Sequence, residues 1–270
     1  MTRPMSSIDP IPHLRRVHET APLIHNITNF VAMNAMANVL LAIGASPAMV
    51  HAREEAAEFA GLAQALTINI GTLSPHWVDA MLEAARAANA VSTPWVMDPV
   101  AVGATHYRRQ TAKQLIELSP SVIRGNASEI IALAGQSSTG RGVDSTDAYD
   151  DAIDSALQLA RQTGAVVAVT GEQDLVTDGQ RLVRVAGGHP LMPKVTTLGC
   201  SLTGVVAAFI AAAEDTLAAT VAALCCYATA GELAGGEAKG PGSFAVAFID
   251  ALHALDAQAL EGRHLDIEHV

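Results

Sequence analysis

The sequence predicts a three-layer α/β/α fold, with a mostly parallel central sheet, a β-hairpin late in that sheet and an all-helical C-terminal third. Three observations carry this expectation. Helical and strand-like hydrophobic patterns alternate through the first two thirds of the chain, as repeated βα units on a parallel sheet require. Two β-rich runs in "DLVTDGQRLVRVA" flank Asp178-Gly179, a two-residue turn signal for an antiparallel ribbon. From Ser201 on, the chain is alanine-rich and apolar without strand-like alternation. Neither a repeat nor a linker divides the 270 residues, so residues 1–270 read as one domain, long enough for a large buried core.

The elements follow in order. A helix over residues 29–43 stops at Gly44, a residue suited to the left-handed helix end, and the short strand in "ASPAMVH" follows. A helix over 54–64 precedes the strand "ALTINIG". In "SPHWVDAMLEAARAAN", Ser74 is the N-cap and Pro75 the first helical residue, because proline has no N–H to lose there. The strand "PWVMDPV" comes next, then a helix over 111–118 and the strand "SVIRGN". "NASE" is a capping box, in which Asn126 and Glu129 satisfy each other's backbone amides at a helix start. The polar loop "GQSSTGRGVDSTD", 135–147, is the most mobile candidate. It leads to a helix over 147–162, the strand "GAVVAVTG" and the hairpin.

Composition excludes several classes of function. The formal charge is −11, and the basic residues are scattered, so there is no footprint for nucleic acid. An anionic ligand must then be held by helix N-termini, glycine amides and one or two placed cations. The N-terminal stretch has no apolar core and does not read as a signal peptide. "NFVAMNAMANVLLAIG" and "TLAATVAALCCYATAGELAG" fall short of a membrane span of about 20 apolar residues in length or apolarity, and read as buried helices. The cysteines are Cys200, Cys225 and Cys226. Their odd count and adjacency argue against a disulfide framework, and the expected compartment is the reducing cytoplasm. Cys225 and Cys226 read as packing residues.

Ligands of parallel α/β sheets sit at the C-terminal ends of the strands. Those ends carry Met49, Gly71, Asp98, Asn126 and Thr170. Each alone is explained as a turn former; their shared edge points to a ligand. Asp98 and Glu129 suit Mg²⁺, which takes oxygen ligands and keeps several waters. Arg124 supplies a cation for phosphate. Cys200 follows Gly199 at the head of a helix, where the amides of Gly199, Cys200 and Ser201 would form an anion hole. The competing reading of Cys200 is a small buried hydrophobe. His25 is the histidine nearest to a functional-looking loop.

Together, "PLIHNITNFV", "GASPAMV", "NIGTLS", "DPVAVGAT", "RGNASEI", "VAVTGE" and "LGCSLTG" resemble the hydroxyethylthiazole kinase family in order and spacing, from about residue 22 to 209. The resemblance implies a ribokinase-like fold and phosphorylation of the hydroxyl of 4-methyl-5-(2-hydroxyethyl)thiazole by Mg·ATP, a step of the thiamine pathway. It implies a homotrimer with active sites at subunit interfaces. Asn26, Met49 and Gly71 would line the thiazole pocket, with Thr197 and Gly199 as further substrate contacts. Arg124, Thr170 and Asn126 would contact ATP, and Asp98 and Glu129 would organise Mg²⁺. Cys200 takes the place where most ribokinase-like kinases carry an aspartate base. The chain departs from the family where Gly-Thr-Gly-Cys is common: it has Thr197-Leu198-Gly199-Cys200. A loop conformation open to any residue is expected there, with contact through a backbone amide. Two rivals remain at this stage: a kinase of the same fold for another alcohol, such as the hydroxymethylpyrimidine, and a non-catalytic binding protein.

Overall fold

The computed structural model describes residues 7–135, 145–211 and 213–270. In chain order the elements are β1 Ser7–Ile8, α1 Ile11–Thr20, β2 Leu23–Ile27, α2 Met33–Ala42, β3 Ser46–Ala48, α3 Arg53–Leu62, β4 Ala65–Asn69, α4 Pro75–Ala90, β5 Trp95–Asp98, α5 His106–Ile116 and β6 Val122–Asn126. There follow α6 Ala127–Leu133, α7 Ser145–Thr163, β7 Val166–Thr170, β8 Asp174–Thr177, β9 Arg181–Val185, α8 Leu198–Ile210, α9 Thr216–Glu237, α10 Pro241–His253, β10 Leu265–Asp266 and β11 Glu268–His269.

Nine strands form one sheet in the order β11-β9-β8-β7-β6-β5-β4-β2-β3. From β3 to β7 all pairings are parallel, whereas β7-β8, β8-β9 and β9-β11 are antiparallel. The hairpin turns at Asp178-Gly179 as its sequence requires, and Gly179 takes a φ of 89°, which favours glycine. Successive side chains of a strand point to opposite faces, and the core divides accordingly. Ile24, Ala65, Val96, Val122, Val166 and Ala168 pack with α1, α2, α8, α9 and α10. Leu66, Ile68, Met97, Ile123, Val167 and Val169 pack with α3 to α7. These are the three expected layers.

Local chemistry moves some boundaries. The helix expected over 29–43 starts at Met33 rather than residue 29, because Asn29 Oδ1 accepts the amides of Val31 and Ala32 at 3.1 and 3.0 Å and holds the chain in a turn. α5 starts at His106, ahead of the expected Thr111, because Thr105 caps it by accepting from Arg108 N at 3.2 Å. Ser74 and the Asn126–Glu129 capping box act as predicted. The loop expected to be mobile lies, but for its ends, outside the described residues. α9 is long and apolar enough to cross a membrane by length and composition, yet most of its residues lie inside the layer between the sheet and α10. After α10 the chain returns as β10 and β11, the latter pairing with the edge strand β9, which no alternation in the sequence announces.

His25 lies on the face away from Asn26, edge-on to Phe59 of α3. Its Nε2 is 2.7 Å from the Val50 carbonyl. A carbonyl only accepts, so Nε2 carries the proton, and the buried Nδ1 has no partner. Burial lowers its pKa from 6.5 to about 4, against the smaller opposing effect of the Val50 bond. The unfolded chain therefore takes up a proton below about pH 6.5 that the folded protein refuses until about pH 4, and this contribution to stability is lost as pH falls through that window. Asp98 and Asp174, each raised to about 6 by burial, act in the opposite sense, so the comparison needs a variant. Relative to His25→Gln, which keeps a donor for Val50, the wild type should lose about 1.4 kcal/mol per pH unit across the window, measured by urea denaturation from pH 7.5 to 4. Parallel pH profiles for the two proteins would contradict this assignment.

Candidate active site

Strand alternation builds the site. Asn26, Asn69, Asp98, Arg124 and Thr170 each lie one or two steps along their strands from residues that face α8 and α9, and in phase with them. Register then sets the spacing: Asn69 pairs with Asp98, and Asn126 with Thr170. A polar strip thus runs beneath the N-terminus of α8 on an otherwise apolar face.

Asp98 is fully buried. Its Oδ2 accepts from Asn69 Nδ2 at 2.6 Å and Thr203 Oγ1 at 3.0 Å, and lies 3.8 Å from Arg124 Nη1. Its Oδ1 has no hydrogen-bond partner. Burial raises the carboxyl to about 6; the Arg124 charge works against this and the Glu129 charge adds to it. Glu129 accepts from Ala101 N with one oxygen and Asn126 N with the other, both at 2.9 Å.

Arg124 is also buried, and its Nε has no partner. Nη2 donates to Thr170 Oγ1 at 2.7 Å. A Cβ on Gly199 would sit 3.3 and 3.4 Å from the two terminal nitrogens, so the guanidinium lies against the first turn of α8. Two positive groups, a cation and a helix N-terminus, are thereby placed side by side, an arrangement that suits an anion. The free amides differ by one residue from the expected set. Ser201 N bonds to Thr197 O at 2.8 Å and closes the first helical turn. The amides that no backbone carbonyl accepts are those of Leu198, Gly199 and Cys200.

Cys200 is a half-buried free thiol. Asn29 Nδ2 lies 3.3 Å from its sulfur. Burial raises the thiol pKa, and the charge of Asp98 raises it further, while the amides of Asn29 and Asn69 and the Arg124 charge lower it. Burial prevails and the thiol pKa lies above its ordinary value, so the thiol is protonated at neutral pH. Thr197 reverses an expectation. Its φ is 77° and ψ −13°, the left-handed region that a β-branched residue strongly disfavours. The loop therefore does not adopt a conformation open to any residue; threonine is strained at a position whose backbone favours glycine.

The remaining predicted residues divide. Gly71 lies against the strip, its N–H donating to Asn69 Oδ1 at 2.8 Å. Asn26 is buried; its Nδ2 donates to Ile24 O and Ala48 O and its Oδ1 accepts from Thr67 Oγ1, so it ties the end of β3 to β2 and β4. Met49 is half-buried just beyond β3. Asn126 is exposed and caps α6. A cavity of about 660 Å³ opens beside the strip, walled by Arg124, Thr170, Gly199, Met192, Leu224 and Tyr227 among others. Its outer wall is seated on α9 by two glycines: a Cβ on Gly231 would lie 2.6 Å from Met192 Sδ, and one on Gly235 2.3 Å from the His189 ring. Reading the sequence missed Asn29, Asn69, Thr203 and Tyr227, whose hydroxyl donates to Leu198 O at 2.7 Å. Asn69 was within reach, because period-two counting back from Gly71 lands on it.

This three-layer fold is shared with solved kinases. The pyridoxal kinase from Staphylococcus aureus, solved in complex with AMP-PCP, shares the fold at a TM-score of 0.60 over 92% of this chain and 98% of its own, with 15% sequence identity. Closer relations define the family. Residues 14–258 match the Hydroxyethylthiazole kinase family, and the chain belongs to it. It is 61% identical to a hydroxyethylthiazole kinase of Rhizobium etli over 251 residues, 93% of this chain and 97% of that one. The structure of the hydroxyethylthiazole kinase from Pyrococcus horikoshii matches at a TM-score of 0.88 and 41% identity, covering 97% of this chain and 98% of that one.

The strain at Thr197 gives a test. Left-handed strain costs about 1–3 kcal/mol, and glycine gives back up to about 1 kcal/mol through unfolded-state entropy. Thr197→Gly should therefore raise the unfolding free energy by about 1 kcal/mol in urea titration. A destabilised Thr197→Gly variant would contradict the assigned backbone conformation.

Proposed function

We propose that the protein transfers the γ-phosphoryl group of ATP to the side-chain hydroxyl of 4-methyl-5-(2-hydroxyethyl)thiazole, yielding the thiazole phosphate for thiamine biosynthesis or salvage. One observation carries the reading at the level of residues: Cys200, Asp98 and Arg124 converge beneath three unpaired helix amides, next to a cavity large enough for a nucleotide. Membership of the family supports the same reaction.

The roles follow from the contacts. Arg124 and Thr170 hold the ATP phosphates, with Asn126 assigned to ATP from the edge of the site. Met49 and Gly71 border the thiazole, and Asn26 holds the chain that presents Met49. The amides at Leu198 to Cys200, including that of Gly199, face the transferring group, and Thr197 sets their direction. The alcohol oxygen forms a bond to Pγ as the bond from Pγ to the β-γ bridging oxygen breaks and ADP leaves. Charge on the phosphoryl oxygens meets groups already in place, which is where catalysis of phosphoryl transfer mainly lies. The protonated Cys200 thiol accepts the hydroxyl's hydrogen bond on a sulfur lone pair and orients the nucleophile; the hydroxyl proton passes late to an oxygen of the transferred phosphoryl group.

The residues present fit Mg²⁺. Asp98 Oδ1 is buried without a partner, Glu129 stands close enough to raise the Asp98 pKa, and no group of three metal-binding side chains exists among the described residues. A metal held by one or two carboxylates, water and phosphates needs no more than that. When bound, Mg²⁺ neutralises phosphate charge. A homotrimer with interfacial sites is the inferred assembly. It is supported by Phe30 and Val31, 65% and 61% exposed immediately after Asn29. Three free thiols agree with the cytoplasm as the compartment.

The test is ADP release with a panel of alcohols. The thiazole alcohol should be the preferred acceptor; faster turnover of the hydroxymethylpyrimidine, or no turnover of any alcohol, would overturn the proposal. Cys200→Ala should lower kcat by about 10²-fold without abolishing it, the scale of losing the nucleophile's orientation, and an unchanged kcat would remove the thiol from the mechanism.

A further inference from the structure

We infer that Asn29 and Asn69 are positioning residues: their side chains form a directional amide chain that fixes the Cys200 sulfur at one end and the Asp98 carboxylate at the other. The inference rests on the phosphotransfer reading of this site and deepens it.

Backbone donors set the direction. Asn29 Oδ1 accepts from the amides of Val31 and Ala32. Only an oxygen can do so, and Nδ2 is therefore turned inward. From there it donates to Asn69 Oδ1 at 3.0 Å and lies 3.3 Å from Cys200 Sγ. Asn69 Oδ1 also accepts from Gly71 N at 2.8 Å, so Asn69 Nδ2 must face away from it, and there it donates to Asp98 Oδ2 at 2.6 Å. Thr203, one helical turn beyond Cys200, donates to the same oxygen. Neither asparagine can flip without setting an NH₂ group against a backbone N–H. All the members are buried except the thiol and Gly71, and a buried network of this kind holds its geometry best when each donor has its acceptor.

Two consequences follow. Because the Asn29 amide, with Asn69 behind it, lies on one side of the sulfur, the other side of the thiol is left for the substrate. Because two donors occupy Asp98 Oδ2, Oδ1 is the oxygen left for ligand. Gly71 completes the chain: a Cβ there would sit 2.9 Å from Asn29 Cβ, Asn29 Nδ2 and Asn69 Oδ1. Glycine at this position makes room for the amides as well as bordering the pocket.

The experiment compares full-length wild type with Asn29→Ser and Asn69→Ser. Serine at 29 retains a cap for Val31 and Ala32 and is too short to reach the sulfur. The first readout is the pH midpoint of iodoacetamide labelling at Cys200 without nucleotide, resolved by peptide mass from the buried Cys225 and Cys226. Added exposure would lower the midpoint by relieving the burial that raises the thiol pKa, so it cannot imitate an upward shift. The expected result is an upward shift of about half a pH unit or more in Asn29→Ser, because a donor to the thiolate has gone. In both variants kcat should fall about tenfold with the KM for ATP within about twofold, as loss of orientation rather than of binding requires. If one variant fails to fold, the other decides by the same readouts. Midpoint and kcat both at wild-type values in a folded variant would overturn the inference. Failure of the proposed reaction would show separately, as absence of thiazole phosphorylation by the wild type, and the labelling midpoints would still judge the amide chain.

Discussion

The buried carboxylate of Asp98 is the constraint on which the site depends. A charge taken out of water is costly unless neighbours replace the lost solvation. Here Asn69, Thr203 and Arg124 do so only in part: burial still pushes the carboxyl to about 6, and one oxygen has no protein partner. Arg124 is likewise part-satisfied, with a buried Nε unpartnered. A ligand that supplies both a positive and a negative partner would complete the interactions of both groups. Mg²⁺ with nucleotide phosphates is such a ligand.

The constraint reaches outward through the fold. To bring a guanidinium against the first turn of α8, position 199 must lack a Cβ, because the Arg124 nitrogens occupy that space. To start the helix where its amides face the strip, Thr197 takes a left-handed conformation unfavourable for its side chain. Strain held by surrounding structure is found where function fixes the backbone, and Tyr227 contributes to that hold through the Leu198 carbonyl. The layer of apolar helices that includes α9 supplies the rigid backing.

Most of the fold was legible because hydrophobic period and turn chemistry are local. Asp178-Gly179, Ser74-Pro75 and the Asn126–Glu129 box each settle their surroundings within a few residues. The end of the chain was not legible, because β11 is two residues long and its pairing with β9 is a tertiary event without a pattern of its own. Asp98, Arg124, Thr170 and Cys200, which the fold brings to one edge of the sheet, were legible as candidates because they sit at or near strand or helix ends, which sequence locates well. Asn29 and Asn69 were missed because what matters is which way an amide points, and that depends on the amides of Val31, Ala32 and Gly71. The φ of Thr197 was misjudged for a related reason: the loop is positioned by Arg124 and Tyr227, residues far away in the chain.

Hydrogen exchange resolved to single amides tests most directly whether the head of α8 is the place where the nucleotide's charge is received. The amides of Leu198, Gly199 and Cys200, which no carbonyl accepts, should exchange fast in the free protein. They should slow at least about tenfold when Mg²⁺ and a non-hydrolysable ATP analogue saturate the site, since unpaired helix-start amides then gain acceptors, while amides in the middle of α8 stay as they were. Unchanged exchange at these three positions under saturation would contradict the account, because the phosphates would then lie elsewhere.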